Sequence, residues 1–213
     1  MKHVDFYLDF ISPYSYLAFE QLPKALEGLS YSVAYKPILF GAVLKHHGQL
    51  GPADIPSKRE WTYRQVLWLG HVNGIPIEMP ASHPYNPLAH LRLALATTSD
   101  GSISRYVAET IFREVWRGGE EAADAGRLAA LAARLEPRRE PGSEAVKAQL
   151  KANTDEAIAQ NVFGVPAYAV DGRLLWGFDS LAMLRAALQG DPWFDGPQWQ
   201  GAAERPSLQR TNR

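Results

Sequence analysis

Ser12, on the turn from a first strand into a first helix, is the first place where this sequence could do chemistry. Val4, Phe6, Leu8 and Phe10 alternate with Asp5, Tyr7 and Asp9, a period of two that predicts a strand with one buried face. Serine is a favoured N-cap and proline a favoured first helical residue, so a helix is expected to begin at Ser12-Pro13. The Ser12 hydroxyl would then stand at a helix N-terminus, where unsatisfied N–H groups and the macrodipole favour negative charge. It would also stand at the carboxyl edge of the first strand, the edge at which α/β sheets bind ligands. A second turn, Gly164-Val165-Pro166, is a place where a cis proline can bring bare backbone beside that helix. The plainer alternative, that Ser12 only caps its helix, stays open at this point.

Other chemistries are excluded or weak. The sequence has 0 Cys, which rules out dithiol exchange, thiolate metal sites and a cysteine nucleophile. Its 22 basic and 23 acidic residues give a net charge of −1, against a phosphate-neutralising nucleic-acid binder. No uncharged apolar run approaches the ~18 residues a membrane span needs. The opening MKHVDFYLDF lacks the unbroken apolar core of a signal peptide, so a cytoplasmic location is expected. His46-His47 lack the i, i+4 spacing of helical metal ligands, and no metal is expected. His71 and His90 read as solvent-facing or satisfied core residues, and Arg138-Arg139 as a solvated loop. Trp61, Trp68 and Trp116 read as core packing at helical spacing, while Trp176 is open between packing and a site.

The elements that must position Ser12 follow from pattern. Pro23 is expected to kink or end the first helix, and Gly28 to close it. Tyr31, Val33 and Tyr35 predict a second strand, completing a strand–helix–strand unit. Ser57 and Glu60 read as a capping box opening a helix that stops at Gly74. Residues 75–86, with three prolines, read as an ordered loop, and Asn86-Pro87 as the start of the next helix. Further helices are expected over about 104–116, 124–135 and 143–160. Ala167 to Val170 and Arg173 to Trp176 form a hairpin around Asp171-Gly172. A last helix, Ser180 to Gln189, takes Asp179 as its N-cap. The fold class is α/β, a four-stranded core with an inserted all-helical subdomain. The boundaries are 1–37 and 162–190 for the core, 38–161 for the insertion and 191–213 for a loosely held tail.

The layout resembles a known family, the thioredoxin-fold group that contains the 2-hydroxychromene-2-carboxylate isomerases and kappa-class glutathione transferases. The resemblance spans about residues 4–189 and rests on DFYLDFISPYSYLA, GAVLKHHGQLGP, GIPIEMPASHPYNPLAHLRLAL and FGVPAYAVDGRLLWGFDSL. It implies a thioredoxin-like core and glutathione as cofactor. Ser12 matches the family's catalytic serine, which holds the glutathione sulfur as thiolate. Val165 matches the residue before the cis proline, whose backbone pairs with the cysteinyl part. Trp176, Gly177, Phe178, Asp179 and Ser180 match the stretch that holds the γ-glutamyl end. Lys45, Asp54, His83 and Asn86 fall where the family places its second, small aromatic substrate. Lys45 is the cation implied for a substrate carboxylate.

The implied reaction interconverts 2-hydroxychromene-2-carboxylate and its ring-opened hydroxybenzylidenepyruvate. Thiolate addition to an electron-poor double bond, rotation and elimination would accomplish it. A thiol has a pKa near 8.5, and lowering it by ~2 units takes about 2.7 kcal/mol. One charge-assisted hydrogen bond of ~1.5–3 kcal/mol and a helix terminus of ~0.3–1 kcal/mol suffice. The sequence departs from the family pattern at Gln49, Gln65, Trp68 and His83, where Asn, Asp, Arg and Tyr are frequent. All four border the second-substrate region. A kappa-like glutathione transferase and a non-catalytic thioredoxin-fold binding protein are the alternatives, and a homodimer is an expectation open to test.

Overall fold

The computed structural model describes residues 1–204. The chain runs β1 (Lys2–Leu8), α1 (Pro13–Ala25), β2 (Tyr31–Pro37), then helices α2 (Phe40–His46), α3 (Pro56–Asn73), α4 (Leu88–Ala96), α5 (Arg105–Trp116), α6 (Ala125–Leu135) and α7 (Glu144–Ala159). The hairpin β3 (Ala167–Val170) and β4 (Arg173–Trp176) follows, then α8 (Leu181–Gln189) and α9 (Pro197–Gly201). The sheet order is β2-β1-β3-β4. β1 pairs parallel with β2 and antiparallel with β3, so the two halves of the core meet at the central strand β1. Asp171 and Gly172 both take positive φ (49° and 74°), the conformation that a two-residue hairpin with matching twist requires.

Both faces of β1 are covered, which corrects the expectation of one buried face. Val4, Phe6, Leu8 and Phe10 join the main apolar cluster with α1, α4, α5 and α8. Tyr7, on the other face, is fully buried with Ile38, Val43, Ala157 and Val162 under α2 and α7. Asp9 is also fully buried. The alternation of polar residues along the strand was thus no guide to solvent. It marks a second, less apolar interface, where the Tyr7 hydroxyl donates to Glu156 at 3.2 Å and Lys36 bridges Glu156 and Asp5.

Several boundaries differ from the sequence expectation. α1 continues two residues past Pro23. Pro23 stands in the last turn, where only one ladder bond is lost, and Leu22 and Leu26 are buried on either side of it. The Ser57–Glu60 capping box does not form. Pro56 takes the first helical position and Ile55 the cap, with no side-chain cap bond. The proline, preset for that position, moves the helix start upstream. Gly74 ends α3 in the left-handed conformation (φ 65°), as expected. α4 starts at Leu88 with Pro87 as its cap, and the Asn86 side chain accepts from the Leu88 N–H at 3.1 Å. Ser104, Asp124 and Ser143 cap α5, α6 and α7 with side-chain bonds.

Trp116 is fully buried, but Trp61 and Trp68 are 65% and 59% exposed, against expectation. α3 buries Thr62, Val66 and Gly70 instead, and its two indoles lie on the opposite side of the helix. His71 is exposed, whereas His90 is buried and its Nδ1 has no partner among the described residues. The proline-rich loop 75–87 is ordered by its contacts. Glu78 N–H donates to Trp116 O at 2.8 Å, Ala81 N–H to Glu120 O at 3.1 Å, and the Tyr16 hydroxyl to Pro76 O at 2.5 Å.

Candidate active site

β1 ends where Asp9 folds its carboxylate back on the chain. Oδ1 accepts from Ile11 N–H at 3.1 Å, an Asx-type turn, and Oδ2 from Phe40 N–H at 2.9 Å, where α2 begins. The Ser12 N–H then donates to Asp9 O at 3.1 Å. Ser12 caps α1 with an extended backbone (φ −88°, ψ 114°), Pro13 occupies the first turn, and Ser12 Oγ accepts from Ser15 N–H at 3.2 Å. The same hydroxyl donates to the Val165 carbonyl at 3.3 Å. The Val165–Pro166 peptide is cis, as the sequence suggested.

This geometry holds both readings of Ser12. The bond to Ser15 is a cap. The bond to Val165 is longer than the ~2.5–3.0 Å usual for O–H···O, so the hydroxyl hydrogen can swing to another acceptor while the cap stays intact. Among the described residues the Val165 N–H has no acceptor. A hydroxyl, a free backbone N–H and a helix N-terminus therefore converge. Such a set suits an anionic or thiol group with a peptide-like amide beside it. Ser15, three residues on, is fully buried and its hydroxyl has no partner among the described residues.

Trp176 and the residues after it form the next wall. A side chain on Gly164 would collide with the Trp176 indole nitrogen, so the half-exposed indole lies directly against the Val165 turn. The Phe163 ring stands 4.9 Å from it, centroid to centroid. Gly164→Ala is accordingly expected to push the indole aside. Fluorescence measured with and without a Trp176→Phe background would isolate that indole, and an unchanged Trp176 contribution would disprove the contact.

Asp179 does not cap α8. A single 3-10 turn over Phe178–Ser180 precedes the helix, and Ser180 closes it by donating from Oγ to Gly177 O at 2.9 Å. Gly177 has φ 97°, and a side chain there would collide with the Asp179 carboxylate. Asp179 is exposed and its charge reaches the Tyr14 hydroxyl, whose pKa is raised by burial first and by Asp179 as well. Tyr14 belongs to the first turn of α1 and donates to Gln65 Oε1 at 2.6 Å. The 3-10 turn over Phe178–Ser180 packs against α1, the helix that starts at Ser12.

The expected substrate residues are placed unequally. His83 lies against the turn itself, with Nε2 2.8 Å from Ile11 O. Its Nδ1 is 2.9 Å from the Tyr63 hydroxyl. Burial, then the nearby Arg59 charge, holds its pKa below the usual histidine value, so the ring is neutral at neutral pH and donates from Nε2 to Ile11 O, while the single Tyr63 hydrogen is shared between Nδ1 and His83 O. Asp54 is exposed and accepts from Gly51 N–H at 3.0 Å, closing the turn that precedes α3. Lys45 is exposed in the last turn of α2, five residues from Phe40, about 7 Å along the helix. Asn86 is exposed, and its carbonyl oxygen is committed to α4. Tyr63, Asp9 and Tyr14 were not singled out as site residues from sequence. Asp9 looked like an outward strand residue, and nothing local marks Tyr63. Among the described residues no cluster of three or more His, Asp or Glu is placed to hold a metal.

Fold and turn together define a thioredoxin-fold protein, and residues 3–189 match the model of the DSBA-like thioredoxin domain. The chain belongs to this family, in the branch that holds the 2-hydroxychromene-2-carboxylate isomerases. It is 31% identical over 194 residues to 2-hydroxychromene-2-carboxylate isomerase of Pseudomonas putida, covering 87% of this chain and 93% of that protein. It is 27% identical over 215 residues to glutathione S-transferase kappa 2 of Caenorhabditis elegans, covering 92% and 95%. A solved structure of a 2-hydroxychromene-2-carboxylate isomerase shares the fold with a TM-score of 0.75 at 24% identity, over 96% of this chain and 100% of that one.

Proposed function

We propose that this protein is a glutathione-dependent isomerase that interconverts 2-hydroxychromene-2-carboxylate-type and hydroxybenzylidenepyruvate-type compounds. The observation that carries the reading is the meeting of the Ser12 hydroxyl with the cis Val165–Pro166 turn at 3.3 Å, at the N-terminus of α1. Relatives named as this isomerase, and as kappa-class transferases, support the same reading.

Glutathione, when bound, supplies a thiol sulfur as nucleophile. The chain's own residues supply the rest. Ser12 turns its O–H from Val165 O toward that sulfur and keeps Ser15 N–H as its cap. Val165 offers its free N–H and, once released, its carbonyl to a peptide-like backbone. Trp176, Gly177, Phe178, Asp179 and Ser180 border the amino-acid end of the ligand. The exposed carboxylate of Asp179 suits an ammonium group there. Lys45 answers a substrate carboxylate, and Asp54, His83 and Asn86 edge the aromatic substrate's side.

The test has two arms. Glutathione at millimolar concentration is expected to raise the melting temperature, since a ligand at 100 times its Kd adds about 2.7 kcal/mol. The isomerisation, followed by the absorbance of the ring-opened product, is expected to require glutathione. No thermal shift and no glutathione dependence would end the assignment. If glutathione binds but only an added electrophile is consumed, the chain is a kappa-like transferase.

A further inference from the structure

Ile11, the residue that leads into Ser12, is held at both of its backbone polar groups by side chains. Its N–H donates to Asp9 Oδ1 at 3.1 Å. Its carbonyl, Ile11 O, accepts from His83 Nε2 at 2.8 Å. One residue earlier, Phe10 O accepts from the buried Trp116 Nε1 at 3.0 Å. The His83 ring packs on Trp116, with centroids 5.5 Å apart. His83 is itself fixed by Tyr63 of α3, whose hydroxyl is 2.9 Å from Nδ1 and 2.8 Å from His83 O. Asp9 is fixed from the other side by Phe40 N–H, the start of α2.

We infer that Asp9 and His83 are positioning residues for Ser12, clamping the backbone of Ile11, one peptide on each side of it, between α2 and α3. The direction of the Ser12 side chain follows from the backbone that precedes it. The extended cap conformation places Oγ between Ser15 N–H and Val165 O. Free rotation about the Ile11 backbone would move Oγ away from both. Neither ring nitrogen of His83 is left for a ligand, so its contribution at this place is geometric. The same chain, Tyr63 to His83 to Ile11, ties the outer helix α3 to the turn. A substrate that shifts α3 would be registered at Ser12.

The inference rests on the proposed function for its rate readout only. The variants are His83→Leu, which deletes the donor, and His83→Gln, whose amide nitrogen can replace Nε2. Tyr63→Phe is a milder change that leaves the Ile11 bond in place. Hydrogen exchange of the segment 9–15, followed by mass spectrometry, reads the clamp without any ligand. His83→Leu is expected to speed exchange there about tenfold or more, with α8 unchanged. His83→Gln should restore most of the protection, and Tyr63→Phe should fall between. In the isomerase assay His83→Leu should lower kcat about tenfold with little change in the glutathione requirement, and His83→Gln should recover it. Wild-type exchange of segment 9–15 in His83→Leu overturns the inference, as does a kcat loss that His83→Gln does not rescue. If the wild type neither binds glutathione nor isomerises, the functional reading fails and the exchange arm still decides the clamp. If His83→Leu does not fold, exchange in His83→Asn decides, because its shorter amide does not reach Ile11 O, and a wild-type rate for segment 9–15 there overturns the clamp.

Discussion

Ser12→Ala is expected to fold, to bind glutathione through the remaining backbone contacts, and to lose isomerisation at neutral pH. The reason is that one atom serves two ends. Oγ accepts from Ser15 N–H at 3.2 Å, and its hydrogen, now on Val165 O at 3.3 Å, is the hydrogen a thiolate would take. Deleting it removes a charge-assisted bond worth about 1.5–3 kcal/mol in the transition state, roughly ten- to more than hundredfold in rate. Rising pH should restore part of the rate, because a thiol ionises without help as the solution approaches its own pKa near 8.5. The loss of the cap should cost about 1 kcal/mol of stability, within the range of other N-cap deletions. The two losses are separable on one protein, by melting temperature and by turnover across pH. A variant that is destabilised but fully active would reduce Ser12 to a helix cap.

The sheet and helices were legible because their signals are local. Period-two apolar residues in β1, the Asp171-Gly172 turn and the serine and aspartate caps of α5 to α7 each act within a few residues. The Ser12 turn was legible for the same reason, whereas the cis bond before Pro166 was legible only through the resemblance. What stayed hidden depends on partners distant in sequence. Asp9 reads as a solvated strand residue until α2 and α7 cover the second face of the sheet. His83 stands 72 residues from Ile11, and Tyr63 twenty from His83, so no spacing rule joins them. The Ser57 box was misread because Pro56 competes for the same turn and wins. Trp61 and Trp68 have core-like residue types and helical spacing, yet which side of α3 is buried depends on α1 and the loop carrying Ile77.

Between about pH 4 and 6.5 the stability of the wild-type protein is expected to vary little, because two buried groups oppose each other. Asp9 is wholly enclosed, and desolvation pushes its pKa up to about 7 against the pull of its backbone N–H partners. In the unfolded chain it ionises near 3.9. Across the interval the native state holds a proton that the unfolded state has lost, so stability falls as pH rises, by about 1.4 kcal/mol per unit. His90 has the reverse sign. Burial, then Arg127, lowers its pKa to about 4 from an unfolded value near 6.5. There the unfolded state holds the extra proton, and stability rises with pH by a similar slope. His83, also lowered by burial, adds to the rising side. Removing either member exposes the other. Asp9→Asn should give a stability that climbs through this range, by roughly 3 kcal/mol in all, while His90→Phe should give one that declines. Urea unfolding at half-unit pH steps measures the slopes directly. If the Asp9→Asn profile runs parallel to wild type, Asp9 is already ionised at pH 5, and its backbone bonds outweigh its burial. If His90→Phe alone runs parallel, the imidazole has reached water, and the unpartnered Nδ1 is not enclosed in solution.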